Sequence, residues 1–253
     1  TQYHNYQQEH LFVSPSRQVL LARRALLCTS EEMADAKPKV LILGGTGFVG
    51  RHLTTFLVSN GLCSLVRVVD KVPPATAWLN AEHQAVFQQV DFKQANLAVP
   101  QSAERAFSTE DGPFDYVFNL AAETKYGQST DVYKERVLDV AVNCGREACR
   151  TGVKRFVHMS TAQVYDCDKI VSHEGSRLQP WTTLAQFHLK AEQELEKIDG
   201  LPYLVLRPAV IYGVGDLQGL GKFVCREYWP HPLTSDPQLP DSLLEQCTEN
   251  WGR

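Results

Sequence analysis

The chain has 253 residues, 43% hydrophobic and 21% charged, with a net charge of −4. That composition suits a globular chain long enough for one large domain, and it lacks the basic field that nucleic acid or an anionic membrane surface requires. No run approaches the ~18 apolar residues of a membrane span, and seven cysteines without a Cys-x-x-Cys pair argue against a disulfide framework or a zinc site.

Such cysteine usage suits a reducing, cytoplasmic setting. Cys144 and Cys149 read as small packing residues of a helix. Residues 1–32 begin without a methionine and carry no strand pattern, whereas Met33 opens "MADAKPKVLILGG", a polar lead into a buried strand. Residues 1–37 are therefore expected to form a disordered extension. A second reading takes Arg17, Arg23 and Arg24, set among Leu, Ser and Ala, as a mitochondrial transit segment.

From residue 38 the pattern becomes regular. "KVLILG" (39–44) reads as a strand, and "GFVGRHLTTFLVSNG" as a helix stopping at Asn60-Gly61. Further strands are expected at 64–70, 85–91, 114–122, 154–160 and 202–208, with helices over 129–151 and 182–198. Apolar strands without alternation, separated by helices, predict an α/β fold: a doubly wound (Rossmann) parallel sheet of order 3-2-1-4-5-6. The domain is expected to span 38–216, with 217–253 a weakly ordered, proline-bearing tail.

The glycines between the first strand and helix carry chemistry. Gly44, Gly47 and Gly50 fit G-x-x-G-x-x-G, while Gly45, Gly47 and Gly50 fit G-x-G-x-x-G. Either way the turn brings backbone amides to a pyrophosphate at a helix N-terminus, with Phe48 and Val49 among the contacts. Asp70, ending the second strand, is placed for an adenosine ribose and would repel a 2′-phosphate, so NAD is favoured over NADP although Arg51 and Lys71 leave room for the latter. Asp91, read as ending the third strand, is expected near the adenine with Phe92. Ala121 and Ala122 are small where the cofactor would lie against backbone. No metal is expected.

"GGTGFVG", "NLAAETK", "GVKRFVHMSTAQVYD" and "LRPAVIYG" stand in order over residues 38–216. Together they resemble the extended short-chain dehydrogenase/reductase family, the NAD-dependent epimerase/dehydratase group that acts on sugar nucleotides. The resemblance implies NAD(P) binding, a homodimer, and a catalytic trio of Ser or Thr, Tyr and Lys, the tyrosine four residues before the lysine. By position it assigns the hydroxyl to Thr161 or adjacent Ser160 and the lysine to Lys190, which would hold the nicotinamide ribose. It also places Lys125 near the cofactor phosphates or ribose and Pro208 near the nicotinamide.

The tyrosine position is then Gln186, whose amide does not titrate and cannot relay the proton that hydride transfer requires. The family's substrate lobe is also expected to be incomplete. The expected function is therefore NAD(P) binding with doubtful epimerase- or dehydratase-like turnover of a sugar nucleotide or other small alcohol. The alternative is a non-catalytic NAD(H)-binding scaffold or sensor with a protein partner. On the helix 182–198, Leu184, Phe187, Leu195 and Ile198 are expected to pack on the sheet, with Glu192, Glu194, Glu196 and Lys197 in water.

Overall fold

In a computed structural model the structure describes residues 37–110, 112–166 and 172–216. The expected extension, apart from Lys37, and the expected tail lie outside the described residues.

Six strands form one parallel sheet: β1 (Lys39–Leu43), β2 (Leu65–Asp70), β3 (Asp91–Gln94), β4 (Tyr116–Asn119), β5 (Arg155–Met159) and β6 (Tyr203–Leu206). Their order is β3-β2-β1-β4-β5-β6, as the alternation of strands and helices predicts. Leu43 pairs with Val69 on one side and Asn119 on the other, and Asn119 with His158, so the strand exits line up along one edge. The chain reverses direction through the sheet between β1 and β4, opening the crevice in which such folds bind ligand.

The helices are α1 (Phe48–Ser59), α2 (Ala81–Phe87), α3 (Pro100–Phe107), α4 (Thr130–Tyr133), α5 (Val140–Thr151) and α6 (Thr183–Glu196). A π-helical stretch, Lys134–Asp139, joins α4 to α5 inside the expected 129–151 helix. That helix ends at Gly152, whose φ of 73° is the left-handed stop glycine allows. Side chains alternate across each strand. Leu41, Leu43, Val117 and Phe156 join Ala103, Phe107, Cys144, Ala191 and Leu195 in a core beneath α3, α5 and α6. Val40, Ile42 and Val68, of opposite parity and fully buried, face the α1 side. Among the described residues no helix is long and apolar enough to cross a membrane.

One expected element is wrong. The segment read as a strand over 85–91 is largely α2, and β3 begins only at Asp91. Asn80 caps the helix by accepting from the His83 amide at 2.8 Å, and His83, Val86 and Phe87 then bury one helical face. The apolar "AVF" follows that stripe rather than a strand's period of two.

Candidate dinucleotide site

The loop between β1 and α1 owes its shape to the absence of side chains. Gly44 has φ of 78°, and a Cβ there would lie 2.7 Å from the backbone nitrogen of Ala121. A Cβ on Gly50 would lie 2.5 Å from the Gly45 Cα, so the helix can sit on its own loop only without one. The α1 N-cap is Gly47, which offers the first-turn amides no side-chain acceptor. The N-terminal end at Phe48 and Val49 thus presents N–H groups and the positive pole of the helix dipole to the crevice.

Asp70 stands beside this loop at the β2 exit. Its carboxylate accepts from the Thr46 amide at 3.2 Å and the Val72 amide at 3.1 Å, bracing the glycine loop against the next turn. A carboxylate has about four lone-pair sites, so two stay open for ribose hydroxyls. Arg51, the residue that left room for a 2′-phosphate, is buried and donates from Nη1 to the Trp78 carbonyl at 3.0 Å. Lys71 is exposed.

Asp91 and Phe92 are corrected. They open β3 rather than end it, three and two residues before Gln94, the partner of Asp70 at the exit edge. Asp91 instead holds Arg67, 2.6 Å away, whose Nη1 also donates to the carbonyls of Ala106 and Ser108. The segment that does reach Asp70 is Gln94–Ala95, the Ala95 amide donating to the Asp70 carbonyl at 3.0 Å.

Across the crevice, Ala121 lies against Gly44, and Ala122 packs beside the small apolar cluster of Tyr133, Val137, Leu184 and Phe187. Lys125 is exposed. Its loop is shaped by Glu123, which accepts from the amides of Thr124 and Lys125 at 3.1 Å and from Arg136 at 2.8 Å. Burial would raise the Glu123 carboxyl, but these donors outweigh it and hold it below the usual carboxylate range. Tyr133 completes the loop by donating to the Lys125 carbonyl at 2.9 Å.

The geometry has a counterpart among known proteins. The family model described as NAD dependent epimerase/dehydratase matches residues 40–226. The chain belongs to that family. It is 29% identical over 195 residues to a trifunctional UDP-glucose 4,6-dehydratase/UDP-4-keto-6-deoxy-D-glucose 3,5-epimerase/UDP-4-keto-L-rhamnose-reductase of Arabidopsis thaliana, which covers 72% of this chain and 29% of that protein. It is 30% identical to a 3 beta-hydroxysteroid dehydrogenase/Delta 5→4-isomerase of Mycobacterium tuberculosis, covering 70% of this chain and 48% of that one. The Bordetella bronchiseptica enzyme WbmG, solved with NAD and UDP, superposes with a TM-score of 0.63 at 20% identity, covering 78% of this chain and 61% of WbmG. The chain thus spans less than a third of the plant relative and about half of the mycobacterial one.

The family's trio is where structure and sequence part. Thr161, after β5, is half-buried at the exit edge and its hydroxyl accepts from the Gln163 amide at 3.3 Å. Pro208 is beside it, its carbonyl accepting from the Ala162 amide at 2.8 Å. Ser160 is buried and its hydroxyl is spent on Glu192, so of the two hydroxyls only Thr161 stays available. Lys190 is exposed, with Nζ 4.6 Å from the centroid of the Phe187 ring, and Gln186 one turn earlier is exposed too. The face of α6 turned inward carries Leu184, Phe187, His188, Ala191, Glu192 and Leu195.

Glu192, expected in water, is 7% exposed and accepts from Arg207 Nε at 3.1 Å, while Arg207 Nη1 donates to the Tyr165 hydroxyl at 2.9 Å. Gln163 ties three loops together: it donates to the Tyr126 hydroxyl and accepts from Thr182 at 3.1 Å. None of these polar partners was read from the sequence. For His188 and Glu192 a signal existed: the stripe Leu184, Phe187, Ala191, Leu195 has helical spacing and contains them, and it leaves Lys190 off.

Proposed function

We propose that this chain is an NAD(H)-binding member of its family whose crevice lacks the tyrosine of the family's tyrosine–lysine pair, so that it binds the dinucleotide but turns it over poorly. One observation carries this. Gln186 stands four residues before Lys190, where the family has its tyrosine, and both side chains are exposed on α6 while Leu184 and His188 are buried. A glutamine amide has no proton to relay. Burial, partly offset by Glu192, depresses the His188 pKa to about 4, so that imidazole stays neutral and does not replace the missing acid. Loss of general acid–base help lowers rates by typically ~10²–10⁴-fold.

Asp70 at the ribose position and the engagement of Arg51 by a backbone carbonyl both support NAD over NADP. The relatives' names point to nucleotide sugars as the first substrates to try. Isothermal titration should give clear NADH binding, with NADPH weaker by about tenfold or more, on the order of 1.4 kcal/mol. Binding of neither would sink the proposal. Turnover tests the missing acid: Gln186→Tyr should gain sugar-nucleotide-dependent NADH formation, and no gain from that change would overturn the reading that only the proton donor is lost.

A further inference from the structure

The segment leaving β6 takes an unexpected course. In the sheet β6 lies three strands from β1, about 14 Å at ~4.8 Å per strand. Yet Val214 and Gly215 contact α1, the helix that follows β1. His52 Nε2 lies 2.9 Å from the Val214 carbonyl, and Arg51 Nη2 donates to the Gly215 carbonyl. A Cβ on Gly213 would lie 3.8 Å from Cζ of Phe48, the first residue of α1.

Both ends of this strap are fixed at the exit edge of the sheet. The Pro208 carbonyl accepts from Ala162 after β5, and Gly213 meets α1 at its first turn. Four residues separate Pro208 from Gly213, five Cα steps with a reach of at most about 17 Å when extended. A segment joining them passes from the β6 side of the exit edge to the α1 side, and the crevice between β1 and β4 lies between the two.

The inference rests on the dinucleotide reading above. We propose that Gly213–Gly215 is a latch closed over that crevice, kept by Arg51 and His52, and that it must lift before NAD(H) enters. The Arg51 guanidinium is the keeper. It lies 5.4 Å from the Phe48 ring centroid and 4.9 Å from that of Trp78, and it bridges the Trp78 and Gly215 carbonyls. The hold is incomplete, because Arg51 Nε is buried with no partner among the described residues, and that lowers the cost of release. Gly213 and Gly215, with φ of 154° and 80°, supply backbone freedom on both sides of Val214.

Gly215→Ala tests the latch without touching the glycine loop. Its Cβ would lie 2.5 Å from Trp78 and 2.8 Å from Arg51 Nη2, at a φ that already disfavours a side chain, so the closed strap is strained and its keeper displaced. Stopped-flow NADH binding to the whole 253-residue chain should level off with rising NADH at the rate of strap opening. In Gly215→Ala it should run faster by about tenfold or more with no plateau, the excess being set by how rarely the open state is populated. A linear dependence in the unmodified chain, matched by the variant, overturns the latch. So does a variant that speeds dissociation alone, because the strap then closes only over bound cofactor. NADH binding to neither protein defeats the dinucleotide reading instead. Hydrogen exchange of the Asp216 amide, which donates to the Gly213 carbonyl at 3.0 Å, then decides. Equal protection in both proteins overturns the closed strap, and protection lost in Gly215→Ala alone upholds it.

Discussion

His158 and His188 face each other across the β5–α6 interface with ring centroids 6.5 Å apart, and each keeps one buried nitrogen unpartnered among the described residues. Asn119 Nδ2 lies 3.1 Å from His158 Nδ1 and so holds one ring from the β4 side. Neither imidazole can gain a proton without placing a charge beside the other in the core. Burial, reinforced by His188, pushes His158 down to about 3, and burial pushes His188 down to about 4 against the pull of Glu192.

Stability should therefore fall in acid. Both histidines bind protons more readily unfolded, near pH 6.5, than folded, so the unfolded state gains protons first as pH drops. The contribution is complete above pH ~6.5 and is lost progressively toward the folded values, at up to roughly 1.4 kcal/mol per pH unit for each ring. Urea midpoints taken from pH 7 to 4.5 should decline, and His188→Gln should flatten the decline. An unchanged slope in that variant would mean the pair does not govern the acid limb.

Gly50→Ala should cripple the nucleotide loop. Its Cβ would enter the space held by the Gly44 carbonyl and the Gly45 Cα, and both are backbone that cannot rotate away. Overpacking of this kind costs about 1–3 kcal/mol. Calorimetric NADH binding should weaken by about tenfold or more because the amides of α1 lose their aim. Unaltered affinity would show that the cofactor, where it binds, does not use this loop.

The glycines and Asp70 were legible because backbone geometry dictates them: a loop with Ala121 at van der Waals distance from Gly44 admits only glycine, and the acid follows a strand of readable length. Glu192 was misread for a different reason. It was expected in water, whereas burial obeys the 3.6-residue period that runs through Leu184, His188, Ala191 and Leu195 and takes Glu192 with it. Asp91 was misplaced because the Asn80 cap, which turns 81–87 into helix, is a local hydrogen bond that an apolar run conceals. The Glu192–Arg207 pair joins residues 15 apart through the fold, and no local pattern announces it.

That pair supports a stability prediction. Glu192 is 7% exposed at its side chain and Arg207 21%, with Ser160 and Tyr165 completing the network. Glu192→Ala leaves a guanidinium largely out of water without its partner, which costs about 3 kcal/mol or more. Glu192→Leu combined with Arg207→Leu should cost less than the two single changes summed, since each single change strands the other group. Additive urea midpoints would show that the two residues do not act as a unit.

Lys190→Ala separates the exposed lysine from the buried histidine. Lys190 is exposed and its ammonium rests on the Phe187 ring, a contact worth about 0.5–1 kcal/mol at an exposed site. Alanine is the better helix former, which offsets part of that loss. Stability should move by no more than about 0.5 kcal/mol, while NADH binding should weaken by about fivefold or more, on the order of 1 kcal/mol, as the ammonium expected beside the ribose is lost. His188→Ala, by contrast, empties a site buried against β5 and should lower stability. Unaltered NADH binding in Lys190→Ala would place the lysine outside the crevice and overturn its expected role.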